Sequence, residues 1–314
     1  MEQIIIDKEK CTGCGACVQI CPYRAIVLLD KKAEYTLKDC FLCGHCQAVC
    51  PVFAVRLSNL PVRLDLRTME EADNAVPPGT TNVQELVTLM RSRRSCRNYR
   101  NKIVEPAMLE DLVKIGTTAP SGTNSQSWNF VILPTREDVM VLGGMVADFY
   151  RKLNRLAANP FLRFIMQIIN GDSLGRYYRR YHNSVSEALR EWDEKETDRL
   201  FHGAAAALLV TGKKDAGSPA EDALLATQNI LLAAHAMGLG SCLVGFAVEA
   251  MRREPRIRRR LEIVDDEQIY SVIALGYPAV AYLRPANRKV VVPRILCLTE
   301  THPDKFLGGR HGQV

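Results

Sequence analysis

Eight of the eleven cysteines fall in two runs of identical frame, Cys11-x2-Cys14-x2-Cys17-x3-Cys21-Pro22 and Cys40-x2-Cys43-x2-Cys46-x3-Cys50-Pro51. Thiolates at this spacing wrap cubanes of iron and inorganic sulfide: three cysteines of a run hold one cluster, and the fourth, redirected by the proline after it, reaches the other. The spacing therefore predicts one 4Fe-4S cluster on Cys11, Cys14, Cys17 and Cys50 and a second on Cys40, Cys43, Cys46 and Cys21, with the two halves forming one folding unit. The chemistry open to such a pair is electron transfer. Structural zinc sites join two CxxC knuckles and use neither a third cysteine three residues on nor a trailing Cys-Pro. Disulfides would require a secreted chain, and no signal peptide is read before Cys11.

Gly13 and Gly15 in the first run, and Gly44 in the second, let the backbone approach inorganic sulfur with no Cβ in the way. The runs are also an internal repeat, since Ile20-Cys21-Pro22 and Ala25-Ile26 recur as Val49-Cys50-Pro51 and Ala54-Val55. Residues 1–58 resemble the bacterial dicluster 4Fe-4S ferredoxin.

At 314 residues the chain is far longer than such a module, and the remainder is large enough to bury a core of its own. A net charge of +6 is modest, with the basic excess spread over the second part, so nothing demands nucleic acid as a partner. No apolar run has the length of a membrane span; the stretch from Phe161 to Ile169 is short and interrupted by Arg163 and Gln167. Oxygen-sensitive clusters, and further cysteines at 96, 242 and 297 without a pairing pattern, set the expected location in a reducing cytoplasm with little oxygen.

The elements that must position this chemistry follow from composition and period. Residues 59–82 mix charge, proline and cap residues and read as a linker. From Asn82 onward, Val83, Leu86, Val87 and Met90 have helical spacing, and Pro106 opens a second helix carrying Leu109, Leu112 and Val113. A Gly/Ser/Asn loop leads into a strand over 129–133 and a helix from about Thr135; residues 150–200 read as an all-helical insert. A buried strand is expected over 206–211, then a helix from the cap Ser218-Pro219-Ala220-Glu221 to about Met237. Short strands follow near 242–246 and 269–275, separated by Arg252–Arg260, which reads as a solvated helix face or a docking surface for an acidic partner. The fold class is α+β.

Four segments bear on what the second part binds. Arg93-Arg94-Ser95-Cys96-Arg97 gathers three guanidinium groups and a hydroxyl at a helix end, a set suited to a phosphate. Pro120-Ser121-Gly122-Thr123-Asn124-Ser125-Gln126-Ser127-Trp128 is a polar loop entering a strand, able to hydrogen-bond the edge of a flat heterocycle. Gly238-Leu239-Gly240-Ser241-Cys242-Leu243-Val244-Gly245 turns a helix end into a strand, and Gly276-Tyr277-Pro278 is followed by Arg284, Arg288 and Lys289. In this order, over roughly 83–297, they resemble the nitroreductase family of FMN flavoproteins, which gives a domain over 83–314 with a mixed sheet flanked by helices.

The resemblance implies that Arg93, Arg94, Ser95 and Arg97 bind the FMN phosphate and ribityl chain, with Arg97 toward N1 and O2 of the ring. Pro120, Ser121 and Asn124 would line the isoalloxazine across a homodimer interface. Leu243, Val244 and Gly245 would lie near N5, and Arg288 or Lys289 would return to the phosphate. Ser127 stands where the family commonly has proline. The insert is either a lid over the flavin, with Tyr177, Tyr178 or Phe161 in the pocket, or an extra packing element. The implied reaction passes electrons between the clusters and FMN and on to a nitroaromatic, quinone or activated alkene, with NAD(P)H or a ferredoxin as donor and no catalytic side chain. The competing expectation is a non-catalytic FMN and iron-sulfur carrier or redox sensor. No GxGxxG follows a strand. Cys96 and Cys242 read as packing residues; His45, inside the second cysteine run, reads as a surface residue or a loop residue tuning the cluster, and His202 and His235 have no ligand spacing around them.

Overall fold

A computed structural model describes residues 4–36, 40–72 and 75–296; Cys297, expected in an apolar strand-like context, lies outside them. In the cysteine-rich part, β1 (Ile4–Ile6), α1 (Ala16–Ile20), β2 (Ile26–Leu29), β3 (Lys32–Tyr35), α2 (His45–Ala48) and β4 (Val55–Leu57) follow in order. β1 pairs antiparallel with β4, and β2 with β3, so the first and last strands of the module close on each other. The β2–β3 turn is two residues, Asp30 and Lys31, both at positive φ as a right-twisted hairpin requires. Ile4, Ile26, Ala33 and Val55 make a small core whose remaining buried members include Cys11, Cys17 and Cys46. The module's interior is thus as much sulfur as hydrocarbon.

The segment expected as a linker has no regular structure among its described residues, yet residues 65–68 are fastened to the second part. Asp111, fully buried on α4 (Pro106–Gly116), accepts the amides of Arg67 (2.9 Å) and Thr68 (2.7 Å) and the Thr68 hydroxyl (2.6 Å). Lys114 donates to the Asp65 carbonyl, and Arg67 pairs with Glu110 at 3.0 Å. Burial pushes Asp111 up, but the hydrogen bonds from Thr68 and Arg67 outweigh it and hold the carboxyl below its ordinary value of 3.8. Its contribution to stability is therefore present above that value and is lost as pH falls through the lower folded one. Asp111→Ala is expected to cost about 3 kcal/mol, because two amides and a hydroxyl lose their acceptor. Thermal unfolding at neutral pH checks this, and the cost should shrink on acidification below pH 4.

After α3 (Val83–Ser92) and α4, the second part runs β5 (Trp128–Leu133), α5 (Arg136–Ala158), α6 (Pro160–Asn170), α7 (Ser173–Arg180), α8 (His182–Lys195) and β6 (Ala206–Lys213). It ends with α9 (Pro219–Ala236), β7 (Gly240–Leu243), α10 (Gly245–Arg253), α11 (Pro255–Arg260) and β8 (Glu267–Gly276). The sheet order is β5-β6-β8-β7, antiparallel throughout; the parallel component of the expected mixed sheet is the isolated Ser95–Ser241 bridge at the β7 edge. β6 is buried on both faces, which is why it reads as an unbroken apolar run. Ala206, Leu208 and Val210 meet α4 and α9, while Ala207 and Leu209 meet α5 and α10.

Four expectations change here. The strand near 242–246 ends at Leu243, and the apolar residues after it belong to α10, where Ala247, Ala250 and Met251 recur at helical spacing against the core. The arginine run is broken at Glu254-Pro255, and two of its members are structural: Arg252 donates to the Ile269 carbonyl (3.0 Å) and Arg258 to those of Val264 (2.8 Å) and Glu267 (3.2 Å). Ser218 precedes the helix as expected, but its side chain makes no capping bond. The insert is a run of helices that ends at Lys195, leaving 196–200 non-helical, and α5 runs unbroken from 136 across its expected start.

Candidate active site

The fold brings cysteines of both runs together at one place. Cys11, Cys14 and Cys17 of the first run and Cys50 of the second line one cavity, with Gly13 and Gly15 in its wall. Gly13 sits at φ 71°, and a Cβ there would fall 2.0 Å from the Lys31 carbonyl oxygen, so only glycine fits. Gly15 and Gly44 hold the same left-handed conformation at the starts of α1 and α2. Burial, helped by the nearby sulfurs of Cys43, Cys40 and Cys21, pushes the Cys46 thiol up to about 11. The repeated positions 25 and 54 share a contact. Ala25 and Ala54 donate their amides to the sulfurs of Cys21 (3.3 Å) and Cys50 (3.2 Å), the fourth ligand of each run, while Ala33 and Leu42 serve Cys11 (3.4 Å) and Cys40 (3.3 Å). Amides on ligand sulfur stabilise the thiolate and tune a cluster's potential. Among the described residues no three His, Cys, Asp or Glu side chains could hold a single metal ion. His45 is an exposed residue at the start of α2.

In the second part, the Cys96 amide bonds the Ser241 carbonyl (2.9 Å), fixing the arginine segment to the β7 edge. Tyr99 locks it from the other side, its hydroxyl donating to the Cys96 carbonyl (2.9 Å) and its ring lying where a Cβ on Gly276 would sit 2.9 Å away. The anchored segment delivers Arg93, Arg94, Ser95 and Arg97 to a cavity of about 730 Å³ whose opposite wall carries Arg284 and Arg288. Lys289 does not line it. None of these arginines has a carboxylate at ion-pair distance among the described residues, and burial, then Arg288 and Arg94, lower the Arg93 guanidinium from its ordinary value. A pocket of unbalanced cations needs an anion. Arg284 was noted in the sequence only as part of a basic tail; its role depends on the chain returning past Tyr282, whose ring faces Arg94 at 5.7 Å.

Arg97 also lines a second cavity, of about 1030 Å³, over Leu243, Val244 and Gly245. The two cavities share that arginine, so the cationic pocket continues into a larger, mainly apolar one. The insert supplies the far wall, with Tyr150 and Leu153 from α5, Leu162 and Met166 from α6, and Tyr177 from α7. Of the aromatic residues expected there, Tyr177 lines the cavity, whereas Tyr178 packs at a tilt against His182 and Phe161 lies on the outer, exposed face of α6. His202 enters this cavity from the loop before β6; burial, then Arg97, lower its imidazole, which favours the neutral ring. Nothing in the sequence around His202 signals this position. Cys96 is buried with its thiol on the Asn98 carbonyl (3.3 Å), and Cys242 is buried with its thiol raised by that burial, as packing residues.

The polar loop behaves differently. Pro120, Ser121 and Asn124 line neither cavity of their own chain. Thr123, Asn124 and Gln126 all have positive φ, a conformation held by Asp222 on α9, which accepts from the Gly122 amide (2.9 Å) and the Ser125 hydroxyl (3.3 Å). The Asn124 amide nitrogen donates to the carbonyls of Phe41 (3.2 Å) and Leu42 (2.8 Å), between Cys40 and Cys43.

The family model described as the nitroreductase family matches residues 90–277, and that of a 4Fe-4S dicluster domain matches residues 3–73. The chain belongs to the nitroreductase family. It is similar to an NADH dehydrogenase of Thermus thermophilus (28% identical over 201 residues, 64% of this chain and 90% of that one). It is also similar to a 4-nitrobenzoate reductase of a Nocardioides species (23% over 209 residues, 62% and 81%). An FMN-bound nitroreductase from Bacteroides fragilis superposes with a TM-score of 0.49 at 22% identity, covering 69% of this chain and all of that one. This nitroreductase is thus a flavin oxidoreductase, with FMN and two 4Fe-4S clusters as cofactors. The residues fit both groups: eight thiols in two sets with amides on their sulfurs, and a cationic pocket opening into an apolar one. No helix among the described residues is long and apolar enough to cross a membrane.

Proposed function

We propose that this nitroreductase exchanges electrons between its two 4Fe-4S clusters and FMN and reduces a small organic acceptor, a nitroaromatic, quinone or activated alkene. The observation that carries it is the hydrogen bonding of Asn124 to the carbonyls of Phe41 and Leu42, which joins the loop assigned to the flavin edge to the loop between two cluster ligands. The Phe41 ring packs 4.8 Å from that of Tyr23, just past Cys21-Pro22, so the contact lies beside two segments that hold the same cluster.

When bound, the clusters supply single electrons and FMN converts them to pairs deliverable at N5. Arg93, Arg94, Ser95 and Arg288 hold the phosphate in this reading, with Arg284 beside them. Arg97 would place positive charge toward the ring, which would favour its anionic reduced form. Leu243, Val244 and Gly245 would lie against the ring, with the cavity under the insert left for the acceptor.

The proposal includes a homodimer in a reducing cytoplasm. Val83, Leu86, Val87 and Met90 form an apolar stripe on α3 that the chain itself leaves exposed, and Val290, Val291 and Val292 extend uncovered after the sheet. A second copy would cover both and bring Pro120, Ser121 and Asn124 to the cavity that its own chain does not offer them. The donor is NAD(P)H or a ferredoxin. Rapid anaerobic mixing of the holoenzyme with a reduced external ferredoxin is expected to bleach cluster absorbance first and flavin absorbance after it. Flavin that stays oxidised beside reduced clusters would overturn the proposal, and a carrier without substrate would show no steady-state quinone or nitroaromatic reduction.

A further inference from the structure

Four aromatic rings gather where the insert meets the turn after β7. Tyr150 and Tyr177 lie nearly parallel with centroids 6.3 Å apart, Phe246 meets Tyr150 edge-on at 5.5 Å, and Tyr181 meets Phe246 at 5.6 Å and 89°. Two of the hydroxyls are already committed: Tyr150 donates to the Phe246 carbonyl (3.0 Å) and Tyr177 to the Asn154 side chain (2.6 Å). Asn154 is itself buried and fixed by Ser186 of α8 at 2.9 Å, so this wall is rigid and offers ring faces and edges more than free polar groups.

Charge enters at the mouth. Arg176 and Arg180, one turn apart on α7, line the same cavity as the rings. Glu249, the acid among the lining residues, is engaged by Arg253 at 2.6 Å. Asp172, just before α7, is paired with Arg179, and on α8 Glu187 (3.6 Å) and Glu191 (3.4 Å) pair with Arg199. Neither Arg176 nor Arg180 has a carboxylate at ion-pair distance among the described residues; Arg180 rests over the Tyr181 ring at 5.5 Å. Like charges at this helical spacing repel slightly, a cost the insert carries without an internal counter-ion.

We propose that this cavity selects a planar aromatic or quinonoid acceptor bearing an anionic substituent, with the ring against Tyr150, Tyr177, Tyr181 and Phe246 and the anion on Arg176 and Arg180. The aromatic wall alone would accept any flat apolar acceptor; the arginine pair makes a carboxylate or sulfonate an asset. The inference rests on the acceptor site assigned above, but it concerns residues outside the flavin-binding set.

Two measurements on the oxidised and turning-over holoenzyme test it. Calorimetry with naphthalene-2-sulfonate, a flat anion that cannot be reduced, should give a Kd about tenfold weaker in the Arg176→Gln/Arg180→Gln variant, with most of the affinity kept in Arg176→Lys/Arg180→Lys. The ratio of kcat/KM for 1,4-naphthoquinone-2-sulfonate over 1,4-naphthoquinone should fall by a similar factor in the glutamine variant. An unchanged Kd together with an unchanged ratio, or a change confined to the KM of NAD(P)H, would overturn the inference. Arginine-dependent binding without turnover of either quinone would support this inference and count instead against the proposed reaction.

Discussion

Cys50→Ala is expected to remove the same cluster as Cys14→Ala, although Cys50 belongs to the other run. In sequence it stands four residues past Cys46; in space it closes the cavity formed by Cys11, Cys14 and Cys17. A cubane held by three thiolates has an open iron, and a half-built site in so small a core also loses the packing that its sulfur supplied. Each variant should therefore retain about half of the iron and sulfide. Cys50→Ala and Cys14→Ala should leave one residual EPR signal in common, and Cys21→Ala and Cys43→Ala should leave the complementary one. Pairing of Cys50→Ala with Cys43→Ala would show that each run binds its own cluster and would break the interleaved assignment.

What the sequence made legible was local. Cluster ligands announce themselves by spacing, because adjacent turns of one short loop must reach one small object. β6 announced itself as an apolar run, since both faces of that strand are covered, and Asn82, Thr135 and Pro219 stand where their helices begin. Polar contacts between distant segments carried no such signal. Asp111 and Asp222 look like ordinary helix residues, yet one fastens the connecting segment through Arg67 and Thr68 and the other shapes the loop that carries Asn124. Their function comes from partners 43 and more residues away, which no periodicity records. Phe161 and Tyr178 were misplaced for a related reason: amphipathic spacing gives two faces, and sequence alone does not say which one a lid turns inward. In α6 the inward side is Leu162 and Met166.

Those long-range contacts bear on the proposed transfer between the two parts. If residues 59–82 were a loose tether, the separation between the cysteine module and the second part would vary, and a transfer that depends on contact would be intermittent. The bonds of Arg67 and Thr68 to Asp111, and of Asn124 to Phe41 and Leu42, hold the module at two points. Two attachments restrain rotation as well as distance, which suits a fixed path for electrons better than one does.

Arg93→Met is expected to weaken FMN binding by about 10–100-fold while making the flavin-free protein slightly more stable. The two effects have one cause. Without the flavin the Arg93 guanidinium is half-buried beside Arg288 and Arg94, and burial first, then those two cations, disfavour its protonated form and lower its pKa from the ordinary value. Arginine stays charged at every pH of interest, so that cost is present throughout and is relieved only by an anion or by removing the charge. Methionine keeps most of the unbranched stem and its packing while deleting the cation. The flavin-free variant should gain about 1–2 °C in Tm, a modest figure because the group is partly solvated. Quenching of FMN fluorescence on titration reads the affinity, and scanning calorimetry of the apoprotein reads the stability. A variant that loses both flavin affinity and apoprotein stability would mean that Arg93 serves the fold; a variant that loses neither would remove the phosphate from this pocket.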